Sequence, residues 1–174
     1  SEMCIRDRNI QKVRYKNSFS VTFDVEEELY SYCTVKLILQ PILENAINYG
    51  VGNMEDGGEI RITGRREGDL IVLAVSDNGL GMSEEEVALV LTDSKRIRKH
   101  GSGVGLVNVN NRIQILFGKE YGLVVESEPD EGTTVSICIP AVLYTEDNRE
   151  DFEKGRMFRK EETAKEVQVK RDDE

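Results

Sequence analysis

Three short runs of this chain carry side chains that can do chemistry, and they come in a fixed order. Glu44-Asn45-Ala46-Ile47-Asn48 sets a carboxylate beside two carboxamides. Asp77-Asn78-Gly79-Leu80-Gly81 puts an aspartate ahead of two glycines, and Gly101-Ser102-Gly103-Val104-Gly105-Leu106 is a glycine cluster. An asparagine carbonyl oxygen is a hard ligand that suits Mg2+. That ion takes few protein ligands in nucleotide sites and completes its octahedron with phosphates and water. An ionised aspartate only accepts hydrogen bonds. Asp77 therefore suits the exocyclic amino group of adenine and disfavours guanine, which presents an acceptor there. Amides at a helix start, with no side chains in the way, form an anion site. Together the three runs hold the parts needed for magnesium, an adenine ring and a triphosphate.

Each run also has an ordinary structural reading. A polar patch opposite an apolar helix face is often plain solvent exposure. Asp-Asn-Gly is common turn chemistry, and a glycine cluster can serve as a hinge. The order and the local contexts favour binding. Glu44 could position a metal-bound water or act in proton transfer, and Asn48 could donate to a phosphate. Gly79 and Gly81 would let the backbone approach a flat ring closely, with Met82 next to it. Lys95, Arg96, Arg98, Lys99 and His100 precede the glycines and suit either phosphate contact or a solvated loop. The glycine run is neither the dinucleotide fingerprint, which needs a strand just before it, nor the P-loop, which needs Gly-Lys-Ser/Thr. Gly132-Thr133-Thr134 alone reads as a turn opening a strand. Beside Asp77 in a sheet, a Thr133 hydroxyl could bridge to adenine through water. Asn108 and Arg112, one helical turn apart, either reach the phosphate side or brace the loop before them.

The elements that must position these residues can be read from hydrophobic period and punctuation. Phe19 to Val25 alternates apolar and polar residues, a strand pattern. A helix comes next and ends near Tyr49, with Gly50 as its stop. Leu39, Ile42, Leu43, Ala46 and Ile47 form its apolar face, and Glu44, Asn45 and Asn48 point away from it. Pro41 inside the pattern predicts a kink or a late start. Glu59 to Arg66 and Asp69 to Asp77 read as strands joined at Glu67-Gly68. Ser83 with Glu86 forms a capping box for a short helix through Leu91. Thr92 to His100 is polar, basic and aperiodic, so a mobile loop is expected. A second long helix runs from about Gly103 to Phe117 with Leu106, Val109, Ile113 and Leu116 as its core stripe. Gly122 to Ser127 and Thr133 to Ile139 are the last strands. This order predicts an α/β fold: a two-layer sandwich of a mixed β-sheet covered on one face by helices.

The whole chain sets bounds. Its 174 residues suit one domain with an appendage. Residues 1–8 show no continuity with the segment after them and read as a leader that is not native to the fold. Residues 9–142 form the domain, and 143–174 are a charged tail, helical or disordered. The net charge of −10 argues against nonspecific nucleic-acid binding. No apolar run is long enough to span a membrane, so direct membrane contact is not expected. Cys4, Cys33 and Cys138 lack metal-ligand spacing, and a reduced, cytosolic setting is the simplest inference.

As a set, these residues resemble the catalytic and ATP-binding domain of sensor histidine kinases. The superfamily also holds DNA gyrase, heat-shock chaperone ATPases and mismatch-repair ATPases. Leu39-Gln-Pro-Ile-Leu-Glu-Asn-Ala-Ile47 looks like the N box, Asp77 to Gly81 like the G1 box and Gly101 to Leu106 like the G2 box. The wording of Lys36 to Pro41, Gly105 to Arg112 and Gly132 to Pro140 is closest to the LytS/YesM type. The match covers about residues 9–142. The resemblance implies a Bergerat-type ATP-binding fold, with Asn45 on Mg2+, Asp77 on the adenine amino group and residues 82–100 as the ATP lid. It also implies phosphoryl transfer to a histidine on a separate dimerisation domain, a response regulator acting downstream, and a cytoplasmic position in a membrane-anchored parent.

The chain departs from the family in places. His100, in the lid, is its only histidine, so the acceptor histidine is expected elsewhere. Asn9 to Phe19 is expected to be the end of the upstream helical domain. No distinct F box appears between Met82 and His100. In the hydrolytic relatives a glutamate one helical turn before the magnesium asparagine activates water. Here that position is Pro41, which cannot act as a base, and Glu44 points differently around the helix. Transfer to a protein histidine is therefore favoured over hydrolysis. The alternatives are a related serine kinase of anti-sigma type and a noncatalytic nucleotide-binding interaction module. Without its dimerisation helices the chain is expected to be monomeric.

Overall fold

A computed structural model describes residues 10–15, 19–31, 33–52, 54–92 and 104–142. Val21 and Val25, Ile60 and Ile62, Ile71, Leu73 and Val75, and Val135, Ile137 and Ile139 recur at even spacing along four segments, and all are buried. Alternate residues of a strand face opposite ways, so this spacing gives each strand one apolar side. The strands are β1 (Ile10–Tyr15), β2 (Phe19–Val25), β3 (Gly58–Glu67), β4 (Leu70–Asp77), β5 (Leu123–Glu128) and β6 (Gly132–Pro140). Among the described residues they form one six-stranded sheet in the order β1-β2-β3-β4-β6-β5. β2 and β3 are parallel and the other pairs antiparallel.

Register aligns the apolar rows. Ile62 sits opposite Val75, and Val75 opposite Val135. Slipping one strand by a residue would turn its whole row outward. Each fully buried Ile or Leu contributes about 1.5–3 kcal/mol, so that register is strongly specified.

The parallel β2–β3 pair needs a crossover, and the chain supplies a helical one. A 3₁₀ turn (Glu27–Ser31) leads into α1 (Cys33–Asn45), which continues as a π-helical segment (Ala46–Val51). After β4 come the short α2 (Glu84–Leu89) and then α3 (Val104–Phe117). Leu39, Ile42 and Ala46 from the crossover, and Leu106, Val109, Ile113 and Leu116 from α3, join the strand residues in one core. The mixed sheet covered on one face by helices is the expected two-layer sandwich.

Several local expectations need correction. Ile10–Tyr15 is a strand antiparallel to β2, not the end of a helical domain. Its Val13 and Tyr15 face Val21 and Phe19, and the pairing satisfies the edge of β2. The helix after Val25 is not continuous, and α1 neither starts late nor ends at Gly50. It begins at Cys33, runs through Pro41 and passes Gly50 as a π helix. α2 stops at Leu89, although its capping box is formed: Glu86 N donates to Ser83 Oγ at 3.2 Å and Ser83 N to Glu86 Oε2 at 2.8 Å. The lid run 93–103, the leader and the tail lie outside the described residues.

Candidate nucleotide site

Asn45 is the last residue of α1 before the winding changes. It is half-buried, and its Oδ1 is buried and meets no hydrogen-bond donor among the described residues. A buried acceptor left without a partner costs about 1–3 kcal/mol. A hard cation is a fitting partner for such an oxygen, because Mg2+ prefers oxygen ligands. The observation therefore agrees with the residue type expected at a magnesium position.

The π segment places the backbone beyond Asn45. Its hydrogen bonds run from i to i+5, so residues five apart lie one turn from each other. Gly50 is thus one π turn beyond Asn45. Gly50 is buried, and a β-carbon there would sit 2.6 Å from Asp77 Cγ. A β-carbon on Gly79 would run into the Gly50 carbonyl. Two glycines thus let the end of the crossover and the loop after β4 meet backbone to backbone. Single π turns inside helices frequently occur at functional sites.

Asp77 ends β4 with Ile60 as its register partner on one side and Thr133 on the other. Ile60 belongs to the core, so directly paired Asp77 also faces the helical layer. Gly79 N donates to Asp77 Oδ1 at 2.9 Å, and the Thr133 backbone N–H also donates to the carboxylate. Burial pushes the Asp77 carboxyl above its ordinary value, while the Gly79 and Thr133 amides pull it back. The result is a partly desolvated carboxylate, fixed in place, that can only accept.

The loop after Asp77 is pinned on both sides. Asn78 Oδ1 accepts from Glu59 N at 2.7 Å and its Nδ2 donates to the Gly57 carbonyl at 2.9 Å. Gly81 has φ +66, a left-handed geometry that glycine adopts without penalty. Met82 N donates to Ser127 Oγ at 2.8 Å, and that hydroxyl lies 2.8 Å from Thr133 Oγ1.

The fold brings Asp77, Gly79, Gly81, Met82 and Thr133 together at one end of β4 and β6, with Asn45 one π turn from the Gly50 contact. Glu44 is exposed and accepts from Gln40 Nε2 at 3.1 Å. Asn48 is exposed in the π segment. The α-helical phase that grouped it with Glu44 and Asn45 does not hold past Asn45, because the wider winding rotates the later residues. Val104 opens α3, and Gly105 is exposed with open space around it. The Leu106 side chain is buried in the core, which leaves its backbone alone to face a ligand. Lys99, Gly101, Ser102 and Gly103 lie outside the described residues.

Sequence reasoning missed three contributors. Gly50 read only as a helix stop. Asn78 read as turn filler. Ser127 carried a usable signal: it comes after Leu123 and Val125 on the inward side of β5 as a polar residue in an apolar alternation. No helix among the described residues is long and apolar enough to cross a membrane.

Residues 34–143 match the family described as histidine kinase-, DNA gyrase B-, and HSP90-like ATPase. Sensor histidine kinase YesM of Bacillus subtilis (strain 168) is 34% identical over 132 residues, covering 75% of this chain and 21% of YesM. Sensor protein LytS of Bacillus anthracis is 30% identical over 142 residues, covering 80% of this chain and 23% of LytS. The chain thus spans less than a quarter of the length of either relative. The solved Erythrobacter litoralis EL346 blue-light activated histidine kinase has a TM-score of 0.52 at 18% identity, over 72% of this chain and 36% of that one, a likeness of fold alone. With this match over most of the domain, the chain belongs to the histidine kinase-, DNA gyrase B- and HSP90-like ATPases, as an ATP-binding domain of the LytS/YesM type of sensor histidine kinase.

Proposed function

We propose that this chain binds Mg-ATP and passes the γ-phosphate to a histidine on a separate dimerisation domain, as the catalytic domain of a two-component sensor kinase. The observation that carries the reading is the unpaired Asn45 Oδ1, one π turn from the Gly50 that rests on Asp77. A cation-seeking oxygen and an acceptor-only base reader are joined there by a glycine contact.

Each residue then has a task. Asp77 accepts from the adenine amino group, and Thr133 contacts the same edge through water. Gly79, Gly81 and Met82 flank the ring. Asn48, Lys99 and the amides from Gly101 to Leu106 hold the phosphates, including those of Ser102, Gly103, Val104 and Gly105. Asn45 would hold Mg2+, and Glu44 would orient a water at the site or take a proton. The ion, when bound, neutralises and orients the phosphate oxygens. The protein's remaining work is placement, so that the acceptor imidazole meets the γ-phosphorus in line as the bond to ADP breaks.

Pro41 stands where the hydrolytic relatives carry a base, which favours transfer to protein over transfer to water. The proposal extends to a domain at 9–142 and an appended tail at 143–174. It also includes a position on the cytoplasmic side of a membrane-anchored parent, with a response regulator downstream. Light scattering should find this chain monomeric, and a stable dimer would refute that part.

Calorimetric titration with ATP and GTP, each with and without Mg2+, tests the site. Saturable ATP binding that tightens with Mg2+, with little GTP binding, is the expected result. Adding a histidine-bearing dimerisation domain and γ-labelled ATP should then give acid-labile phosphohistidine. Acid-stable phosphoserine on a regulatory protein would instead support the serine-kinase reading. No binding of either nucleotide would overturn the proposal and leave an interaction module.

A further inference from the structure

Ser127 on β5 ties three parts of the site's floor together. Its half-buried hydroxyl accepts from Met82 N at 2.8 Å, donates to the Gly132 carbonyl at 2.9 Å and lies 2.8 Å from Thr133 Oγ1. A serine hydroxyl has one proton. The Gly132 carbonyl can only accept, so it takes that proton. Thr133 must then be the donor in the remaining bond, and its single proton is spent on Ser127. What Thr133 can offer a ligand is lone pairs alone. Its register partner is Asp77, which puts the two β-carbons about 4.5–5.5 Å apart on one face. Asp77 is an acceptor as well.

We propose that Ser127 is a positioning residue for base selection: it fixes Thr133 as an acceptor, so that a base edge seated over Asp77 and Thr133 must bring donors. The inference rests on the adenine-site reading and adds to it a residue on a strand that does not neighbour β4. A 6-amino purine brings two amino protons, one for Asp77 and one for a water that spends both of its own protons on Asp77 and Thr133 and so presents only lone pairs. A 6-oxo purine moves its one donor to N1 and brings lone pairs at position six against the Thr133 oxygen or the lone pairs of that water. Without the Ser127 hydroxyl, the Thr133 proton is free to turn toward that carbonyl and accommodate it.

The test is calorimetric titration of the full chain with ATP and with ITP. ITP differs from ATP in its six-position oxygen and in the proton on N1, and it lacks the extra amino group of GTP. The proteins are the wild type, Ser127→Ala, Ser127→Thr, Thr133→Val and the double variant Ser127→Ala/Thr133→Val. Ser127→Ala should narrow the preference for ATP over ITP by about fivefold to tenfold, the worth of one hydrogen bond or one mismatched polar pair. Most of that change should come from tighter ITP binding. Ser127→Thr retains a hydroxyl and should keep the wild-type ratio. With Thr133→Val in place, Ser127→Ala should no longer move the ratio, which a general loosening of the Met82 loop would still do. Should Ser127→Ala not fold, Ser127→Cys keeps the volume with a weak donor and must show the same narrowing. A wild type that prefers ATP, with an unchanged ratio in the Ser127 variants, overturns this inference alone. A wild type that binds neither nucleotide overturns it together with the site.

Discussion

α1 and α3 pack against each other over the same face of the sheet, yet only α1 changes its winding. α3 is α-helical from Val104 to Phe117, and Leu106, Val109, Ile113 and Leu116 are all buried. It stops at Gly118, whose φ of +117 ends the helix. α1 also buries its stripe through Ile38, Leu39 and Ile42. However, it carries Pro41 and widens into a π helix after Asn45. In the widened segment Gly50 rests on Asp77, and just before it Asn45 Oδ1 meets no donor among the described residues. The described part of α3 is built for packing. The end of α1 gives up regular α-helical bonding at the point where its backbone meets the loop after β4.

The largest effect should come from the packing helix. Ile113→Ala removes a side chain with no exposure and should cost about 2–5 kcal/mol of stability, read from urea unfolding. ATP affinity of the folded fraction should stay as it was. A matching loss of affinity would break the division of labour between the helices.

Asp77→Asn comes next. It should weaken ATP binding by about 1–3 kcal/mol, the cost of one charge-assisted bond, with circular dichroism unchanged. The same variant tests the sign of the buried carboxyl. Because burial raises the Asp77 pKa above 3.8, the folded chain holds that proton more tightly than the unfolded chain. The stabilising contribution is present below the unfolded value and is lost as pH rises through the raised one. Thermal melts should therefore show the non-titrating Asp77→Asn gaining on the wild type as pH climbs from about 4 toward neutrality. A gap that closes with rising pH would reverse the assignment.

Asn45→Ala should abolish the magnesium-dependent tightening of ATP binding. It should stabilise the ligand-free chain by about 1–3 kcal/mol, because it removes a buried acceptor that has no donor among the described residues. Retained Mg2+ dependence would take Asn45 out of the metal's shell. Smallest is Gly105→Ala, at an open position in the first turn of α3. Melting should show a stabilisation of about 0.5–1 kcal/mol, the usual gain over glycine in a helix.

Whatever is decided locally could be read from sequence. β2 was legible from Phe19 to Val25 because its alternation is unbroken, and the α3 stripe because its period is regular. The Ser83/Glu86 box needs only its own turn. β1 was illegible because Ile10 to Tyr15 shows no regular alternation of apolar and polar residues, and its existence depends on the edge of β2. The π turn leaves no mark in sequence. Gly50 acquires its meaning when Asp77, from another strand, is placed against it. Asn45 and Asp77 were legible as chemistry because their types are costly to bury without purpose. Ser127 was not, because one polar residue in a strand is usually unremarkable until its partners are known.

The pairing of Asp77 with Thr133 joins distant stretches of the chain, with Asn45 more distant still. No fragment of the unfolded polypeptide can hold these three groups together, so a ligand of this site binds the folded state alone. Nucleotide and folding are then linked by mass action: ligand at a hundredfold over its Kd would add about 2.7 kcal/mol to stability. If the site takes nucleotide, the melting temperature of this chain followed against nucleotide concentration would therefore also report binding.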